Sequence, residues 1–214
     1  MQNYDGWTLP MHILWENKDQ DLNLSTNYII SIIEKSDLSI QNNLGWTLPM
    51  YLLRNNRDQE LNLSQQQIMS VLEKSDPSIQ NNTGNNIPMY LLQYNKSQNL
   101  NLSPEQIMSI IEKSDLSTQN IYGGTVPMYI LHYNKDQNLN LSSKQIINII
   151  EKIDLSIQDS EGRALLAYIL YNNKEQNINL QPEQIMSIIE KTNISFFNDE
   201  LVTTFFQILE NNLT

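Results

Sequence analysis

Hydrophobic and polar positions follow one another in the same order several times along this chain. The fullest copy of the pattern runs from Asp37 to Ser75 and reads DLSIQNNLGWTLPMYLLRNNRDQELNLSQQQIMSVLEKS. Its glycine recurs every 39 residues, without insertion or deletion, at Gly6, Gly45, Gly84, Gly123 and Gly162. A fixed period of this size predicts a stacked array of repeats, in which each repeat contacts mainly its neighbours.

The period divides the sequence into five repeats and a remainder. We place repeats 1 to 5 at 1–36, 37–75, 76–114, 115–153 and 154–192, and a capping half-repeat at 193–214. One repeat is too short to bury a core of its own, because small chains leave most of their surface in contact with water. The sequence therefore predicts a single continuous array over residues 1–214.

The first helix of each repeat is predicted from a short apolar run. In repeat 2 it follows Thr47, a favoured N-cap residue, and Pro49 is tolerated only in a first helical turn. Asn55 and Asn56 are predicted to end the helix after about two turns, because Asn tolerates the left-handed conformation at a C-terminus. We expect this helix to be buried on most sides.

The connector after the first helix contains an asparagine between two leucines. The alternation of Leu61, Asn62 and Leu63 predicts a short extended segment that places both leucines under the core. An Asn recurs at this middle position in every repeat. We expect its side chain to be at least half-buried and to bond to the backbone of the loop.

The second helix has the clearest start signal in the chain. Ser103 and Gln106 form a capping box, with proline at the first helical position. Ile107, Ile110 and Ile111 then produce one apolar stripe. The polar segment from Asp115 to Gly123 joins one helix pair to the next, and it predicts a projecting loop or hairpin whose glycine supplies an unusual backbone angle.

The order of these motifs resembles the ankyrin repeat. Ile-Ile-Glu-Lys-Ser, then Asp-Leu-Ser-Ile-Gln-Asn-Asn and Gly-Trp-Thr-Leu-Pro-Met-Tyr are similar to that family's helix end, hairpin and next helix start. Gly45 and Thr47 match its motif, Tyr51 stands near the place of its His, and Ser75 near that of its helix-ending Gly. The repeat here is longer than the usual length of about 33 residues, and Leu48 separates Thr from Pro. The resemblance implies an all-α solenoid of helix-turn-helix repeats with connecting loops or hairpins.

Another helix-pair solenoid remains open as an alternative. The run Leu-Ser-Pro-Glu-Gln-Ile is similar to the helix opening of the DNA-reading repeats of plant-pathogen effectors, which are basic along their DNA face. This chain has 13 basic and 24 acidic residues and a net charge of −11. Because nucleic acids and anionic membranes are bound through Lys and Arg, neither is expected as a partner.

Comparison of the repeats with one another separates a fixed framework from five variable positions. Two of these lie before the recurring glycine, one follows it and two lie late in the first helix. All three Trp residues occupy variable positions, and Trp, Tyr and Arg are the usual anchors of protein interfaces. In ankyrin-like arrays the hairpin tips and first helices line the concave binding face. The candidate partner-binding residues are Tyr4, Asp5, Trp7, Trp15, Glu16, Leu44, Trp46, Arg54, Tyr94, Tyr122, His132, Tyr133, Arg163 and Tyr171.

Two other interpretations of these aromatic residues stay open. Neutral drift at exposed positions also leaves variation on a surface, although it favours Lys, Glu, Ser and Asn over Trp. Packing between neighbouring loops is the other open interpretation for Trp7 and Trp46. The tyrosine that recurs at one position is interpreted as structural, stacking along the array: Tyr51, Tyr90, Tyr129 and Tyr168.

The residues that enzymes and metal sites need are scarce. The chain has no Cys, and its two His residues, His12 and His132, stand at different repeat positions without a third ligand. The repeated carboxylates lie beside Lys at helix ends, which is typical of solvated surface. We expect no enzyme activity, no metal and no cofactor. The N-terminus lacks the pattern of a signal peptide and no stretch approaches about 20 apolar residues, so we expect a cytoplasmic protein.

Protein recognition through one elongated face is the function that the sequence favours. The richness in Asn, Lys and Ile suggests an AT-rich genome, and the resemblance then implies one specific version, a bacterial effector in host cytosol. A monomer is expected. The alternative is a self-associating scaffold that dimerises through the C-terminal end, where all four Phe residues lie: Phe196, Phe197, Phe205 and Phe206. At the other end, Glu16 and Lys18 are interpreted as a modest polar cap.

Overall fold

The structure is a computed structural model that describes residues 2–192. Within this range the chain forms consecutive helix pairs, one pair for each predicted repeat, which confirms the helix-turn-helix pattern. The half-repeat predicted at 193–214, with its four Phe residues, lies outside the described residues. The helices are α1 (Leu9–Glu16), α2 (Thr26–Glu34), α3 (Leu48–Asn55), α4 (Gln65–Leu72), α5 (Ile87–Tyr94), α6 (Pro104–Ile111), α7 (Val126–Tyr133), α8 (Ser143–Ile150), α9 (Leu165–Asn172) and α10 (Pro182–Lys191).

The described chain divides into two compact bodies. The N-terminal body comprises 2–115 and 137–139 and contains α1 to α6; the C-terminal body comprises 116–136 and 140–192 and contains α7 to α10. In the N-terminal body α1 packs against α3 and α3 against α5, while α2 packs against α4. In the C-terminal body α7 packs against α9, and each first helix also packs against the second helix of its own repeat. Each body is thus a stack of helix pairs, and the continuous array over the whole chain stays a prediction.

Burial follows the predicted patterns of the two helices. In α3 the residues Leu48, Met50, Leu52 and Leu53 are all buried, and the neighbouring proline is buried too. The second helix buries a stripe instead, because its opposite side faces water; in α6 the stripe consists of Ile107, Met108, Ile110 and Ile111. The first helix therefore forms the middle of each body and the second helix its outer layer.

The predicted helix starts are confirmed, with one difference in mechanism. In α6 the hydroxyl of Ser103 accepts a hydrogen bond from the backbone N–H of Gln106 at 3.3 Å, and the Gln106 side chain accepts one from the backbone N–H of Ser103 at 2.8 Å. Thr47 is the N-cap residue of α3, as expected. Its buried hydroxyl has no hydrogen-bond partner within the described residues, so Thr47 does not cap through its side chain.

Two expectations about asparagine are wrong. Asn56, at the end of α3, has right-handed helical angles, and the left-handed residues come later, at Glu60 (φ 52°) and Asn62 (φ 49°). Asn62 is exposed rather than buried, and the connector is not extended there, although its side-chain N–H does bond to the backbone oxygen of Glu60 at 3.1 Å. Asn recurs at this position because, after Gly, it adopts left-handed angles with the least strain.

The buried asparagine is the one that follows the first helix, and it joins consecutive repeats. Asn56 is 1% exposed; its side-chain oxygen accepts from the backbone N–H of Leu63 at 2.9 Å, and its side-chain nitrogen donates to the backbone oxygen of Gln98 in the next repeat at 3.2 Å. Gln98 in turn accepts through its side chain from the backbone N–H groups of Arg57 and Asp58 at 3.1 and 3.2 Å. We name this reciprocal arrangement the Asn–Gln clamp.

The Asn–Gln clamp recurs in both bodies. Asn17 donates to the backbone oxygen of Gln59 at 3.0 Å, and Asn95 to that of Gln137 at 3.2 Å, which explains why 137–139 belongs to the N-terminal body. In the C-terminal body Asn134 donates to Gln176 at 3.1 Å.

The polar cap expected at the first repeat stays a prediction. Lys18 is exposed and pairs with Glu60 at 2.9 Å, and Glu16 is half-buried. Leu9 and Leu22 of the same repeat are exposed, whereas Leu48 and Leu61, which hold the same positions in repeat 2, are buried.

Candidate functional site

The segment between helix pairs is a hairpin that a tyrosine attaches to the first helix. In repeat 2 the backbone N–H of Asn42 bonds to the oxygen of Trp46 at 3.1 Å, while the Asn42 side-chain oxygen accepts from the N–H groups of Leu44 and Trp46. The Asn42 side-chain nitrogen donates to the hydroxyl oxygen of Tyr51 at 2.8 Å. Burial raises the pKa of Tyr51 to about 12, so the hydroxyl stays neutral. Tyr51 therefore has a structural role, which is to hold the hairpin, while the predicted stacking of the recurring tyrosines along the array stays a prediction.

Consecutive hairpins are joined by backbone hydrogen bonds. In the N-terminal body the N–H of Asn43 donates to the oxygen of Asp5, and that of Asn82 to the oxygen of Leu44, both at 3.0 Å. In the C-terminal body Ser160 donates to Tyr122 at 2.8 Å. This pairing places the variable residues before each glycine at a regular spacing along one edge of each body.

The variable residues of hairpins and first helices meet in the N-terminal body. The rings of Trp7 and Trp15 lie 6.1 Å apart at their centroids. The guanidinium of Arg54 lies 5.4 Å from the Trp15 ring and 5.1 Å from the Trp46 ring. Tyr94 stacks on Tyr90 at 6.0 Å. We name the group Trp7, Trp15, Trp46, Arg54 and Tyr94 the aromatic face.

Two members of the aromatic face pack between rings of consecutive repeats. Trp7 lies 4.8 Å from His12 of its own repeat and 4.8 Å from Tyr51 of the next. Trp46 lies 5.1 Å from Tyr51 and 4.7 Å from Tyr90. Both indoles are half-buried. This geometry favours the interpretation of Trp7 and Trp46 as packing residues, while Trp15 is 36% exposed and available to a partner.

The hairpin tips expose large apolar side chains. In the N-terminal body Tyr4 is 97% and Leu44 58% exposed. Ile121, which was variable but not among the candidates, is exposed beside Tyr122 in the C-terminal body, and its position two residues before the hairpin glycine, the same as that of Tyr4, could have revealed it. Of the remaining candidates, Asp5, His132 and Tyr171 are exposed, and Glu16, Tyr133 and Arg163 are half-buried.

Arg163 has a structural partner in its own repeat. The framework Asn of the hairpin is replaced in repeat 5 by Asp159, which is buried and accepts from the Arg163 Nε at 2.7 Å and from the Tyr168 hydroxyl at 2.8 Å. Burial alone would raise the pKa of Asp159, but the hydrogen bonds from the Arg163 backbone, the Tyr168 hydroxyl and the guanidinium outweigh it and lower the pKa. Burial and the bond to Asp159 raise the pKa of Tyr168 to about 12.

Replacing Arg163 by asparagine is expected to destabilise the protein by about 2 kcal/mol, because it leaves the buried Asp159 carboxylate without its charged partner. Adding Asp159→Asn recreates the Asn81 and Asn85 pair of repeat 3 and should restore most of the loss. Urea unfolding of the two single variants and the double variant measures the coupling. Equal stabilities of Arg163→Asn and the native protein would contradict this role.

The pair of Asp159 and Arg163 also predicts that the stability of the protein depends on pH. The pKa of Asp159 is lower in the folded chain than in the unfolded one. Its contribution to the free energy of unfolding is therefore complete above the unfolded pKa of about 3.9 and is lost as the pH falls through the folded pKa. The double variant should lack this part of the acid sensitivity. Unfolding curves between neutral pH and pH 3 on both proteins provide the measurement.

Within residues 2–192 the structure gives no support for a metal site or for a helix that spans a membrane. Residues 2–192 contain no group of three His, Asp or Glu side chains that could hold a metal ion. None of the helices formed by these residues is long and apolar enough to cross a membrane.

Comparisons with known proteins give structural similarity alone. No protein-family model matches the sequence, and no curated protein matches it. The crystal structure of EF0377, an ankyrin repeat protein, aligns with a TM-score of 0.51 at 17% identity and covers 89% of this chain and 83% of that chain. A chain from the complex of the predatory endopeptidase Bd0816 of Bdellovibrio bacteriovorus with immunity protein Bd3460 aligns with a TM-score of 0.49 at 17% identity, covering 90% of this chain and 84% of that chain. With its stacked helix pairs, hairpins and alignment to EF0377, the chain has the ankyrin-repeat fold.

Proposed function

We propose that this protein is a recognition module that binds a protein partner through the aromatic face and the neighbouring hairpin tips. One observation carries the proposal: the variable side chains Trp7, Trp15, Trp46 and Arg54 contact one another, Trp15 among them is exposed, and the hairpin tips of the same body expose Tyr4 and Leu44. Exposed apolar side chains that cluster on one surface often mark a site of protein interaction. Trp, Tyr and Arg are also the residue types that dominate the binding energy of protein interfaces.

The aromatic face is arranged before a partner arrives. Arg54 is held between the rings of Trp15 and Trp46, and Trp15 also contacts Tyr51 edge to face at 5.8 Å. A side chain that is already ordered loses little conformational entropy on binding, so more of its contact energy appears as affinity. Trp15 and Arg54 therefore have the properties of a binding hot spot.

Charge limits the class of partner. The net charge of −11 repels acidic molecules at long range, which favours a protein partner with a neutral or basic surface over nucleic acid. The proposal includes binding as a monomer in the cytoplasm, and action as a bacterial effector inside a host cell is its most specific form. That form is supported only by the composition and the fold.

Replacing Tyr4 and Trp15 together by serine is expected to abolish partner capture without unfolding the protein, because both side chains project from the surface. The experiment is a pull-down from host-cell and bacterial lysates with native and variant proteins, after circular dichroism has shown that both are folded. Tyr28→Ser is the matched control: Tyr28 is 68% exposed in the same body but lies on α2, away from the aromatic face. A partner retained by the native and control proteins and lost by the double variant supports the proposal.

Equal capture of the partner by the native protein, the control and the double variant would contradict the proposal. Attention would then move to self-association through the Phe-rich segment, which lies outside the described residues. Sedimentation of the native protein and of a Phe205→Ser, Phe206→Ser variant separates the two functions. A dimer that the variant cannot form identifies the scaffold alternative.

A further inference from the structure

A cleft in the C-terminal body occupies the position that tryptophan fills in two other repeats. Its volume is about 240 Å³, and it is lined by Gly124, Met128, Tyr129, His132, Tyr133, Arg163 and Tyr168. Gly124 holds the repeat position of Trp7 and Trp46, directly after the hairpin glycine. Pockets for drug-sized ligands usually measure about 300–1,000 Å³, so this cleft has the size for a single ring or side chain. We name it the ring slot.

The equivalent positions show what fits between these walls. Trp46 lies between Tyr51 of its own repeat and Tyr90 of the next, at 5.1 and 4.7 Å. Tyr129 and Tyr168 are the corresponding residues of repeats 4 and 5, and both line the ring slot. The protein therefore builds the same pair of aromatic walls in the C-terminal body but supplies no indole to stand between them.

The backbone at Gly124 does not require glycine. Its N–H bonds to the side-chain oxygen of Asn120 at 2.9 Å, just as the N–H of Trp46 bonds to Asn42 at 2.9 Å. Gly124 lies outside the left-handed region, and the atoms nearest to an added Cβ belong to the side chains of Tyr129 and Asn120, at 3.2 Å or more. Because glycine has no side chain, Gly124 leaves open the space of the ring slot that a larger residue would fill.

The other residues of the ring slot also suit an aromatic ring. Arg163 is fixed by Asp159 at 2.7 Å and lies 5.4 Å from the Tyr168 ring, so its guanidinium can face a second ring in a cation–π contact. The thioether of Met128 makes favourable contacts with ring edges. Indole is the aromatic ring that attracts a cation most strongly, and it also pairs favourably with tyrosine rings.

We propose that the ring slot binds the side chain of a tryptophan from the protein partner, inserted between Tyr129 and Tyr168. This inference rests on the proposed function, since it makes the occupant a part of the same partner. It adds a second contact point, in the C-terminal body, that the partner reaches with one aromatic residue. The aromatic face offers the indole of Trp15 to the partner, and the ring slot accepts an indole from it.

The test uses N-acetyl-tryptophanamide as a probe and needs no partner. NMR resonances of the Met128 methyl group and the His132 ring are followed during titration of the native protein, with N-acetyl-leucinamide as the non-aromatic comparison. Both resonances should shift with the tryptophan probe and much less with the leucine probe. In Gly124→Trp the slot is filled as in repeats 1 and 2, and the shifts should be lost. Tyr28→Trp adds an indole on the exposed side of α2 in the N-terminal body and should leave them intact.

Three results would contradict the proposal that the ring slot binds a tryptophan side chain. These are the absence of NMR shifts in the native protein, shifts of equal size with both probes, and shifts that persist in Gly124→Trp. None of them bears on the aromatic face, which the Tyr4 and Trp15 variant tests separately. Once a partner is in hand, equal affinity for the native protein and Gly124→Trp would show that the partner does not supply the ring, and weaker affinity of Gly124→Trp would support the proposal.

Discussion

Replacing Gly123 by alanine is expected to lower the free energy of unfolding by about 3 kcal/mol, the sum of a left-handed backbone penalty and a backbone collision. Gly123 has a φ of +72°, and a Cβ built there lies 2.6 Å from the Cα of Asp159 in the next hairpin. Because the obstacle is backbone rather than a flexible side chain, the two hairpins must separate. Their hydrogen bond between Ser160 and Tyr122, at 2.8 Å, should weaken as a result.

Gly124→Ala is the matched control for this prediction. The two glycines are adjacent, and the substitution is the same, but Gly124 has an ordinary φ and only side chains near its Cβ position. Its free energy of unfolding should change by no more than about 1 kcal/mol. Urea unfolding followed by circular dichroism compares the two variants. Equal losses at both positions would show that neither the left-handed angle nor the contact between hairpins determines stability.

Replacing Asn56 by alanine is expected to destabilise the protein by about 3 kcal/mol, because two buried backbone groups lose their hydrogen-bond partners and a small cavity remains. These groups are the N–H of Leu63 and the oxygen of Gln98, one in the same repeat and one in the next. Asn27→Ala, an exposed change in α2, is the control and should have little effect. Denaturant unfolding of both variants is the measurement.

Asn56→Asp separates the two halves of the Asn–Gln clamp. It keeps the oxygen that accepts from Leu63 but replaces the donor to Gln98 by a second oxygen, which faces a carbonyl. We expect a loss at least as large as that of the alanine variant, because the second oxygen of a buried carboxylate would lack a donor and face a carbonyl oxygen. A native-like Asn56→Asp protein would mean that the bond to the next repeat contributes nothing.

Features that depend on residues a few positions apart could be predicted from the sequence alone. The capping box of Ser103 and Gln106 and the apolar stripe that follows it depend on spacings of three and four, and both are where they were predicted. The positive φ of the hairpin glycine was also predictable, since few other residues adopt it. Asn56 was misjudged because one of its partners, Gln98, is 42 residues away, beyond any local pattern.

Only part of the candidate site could be predicted, because its contacts join residues that are far apart in the sequence. The variable positions could be found by aligning the repeats, but their contacts could not, so Arg163 was grouped with Trp46 as a partner-binding candidate. The change of the framework Asn to Asp159 in the same repeat was visible in the sequence and pointed to a compensating cation. The ring slot had no signal other than a glycine where Trp stands elsewhere, since an empty space requires the surrounding walls to be known.

The Asn–Gln clamp has a consequence at the level of the gene. Its bonds join residues 40 to 42 positions apart, and the side chain of Gln41 reaches the backbone of Gln80 at a separation of 39. A recombination event that adds or removes one whole repeat leaves every Asn opposite an equivalent Gln. An insertion of any other length within a repeat must bulge out as a loop if the same Asn and Gln are to stay opposite each other. Whole repeats are therefore the natural unit in which the coding sequence can lengthen or shorten, and the number of stacked hairpins changes with them.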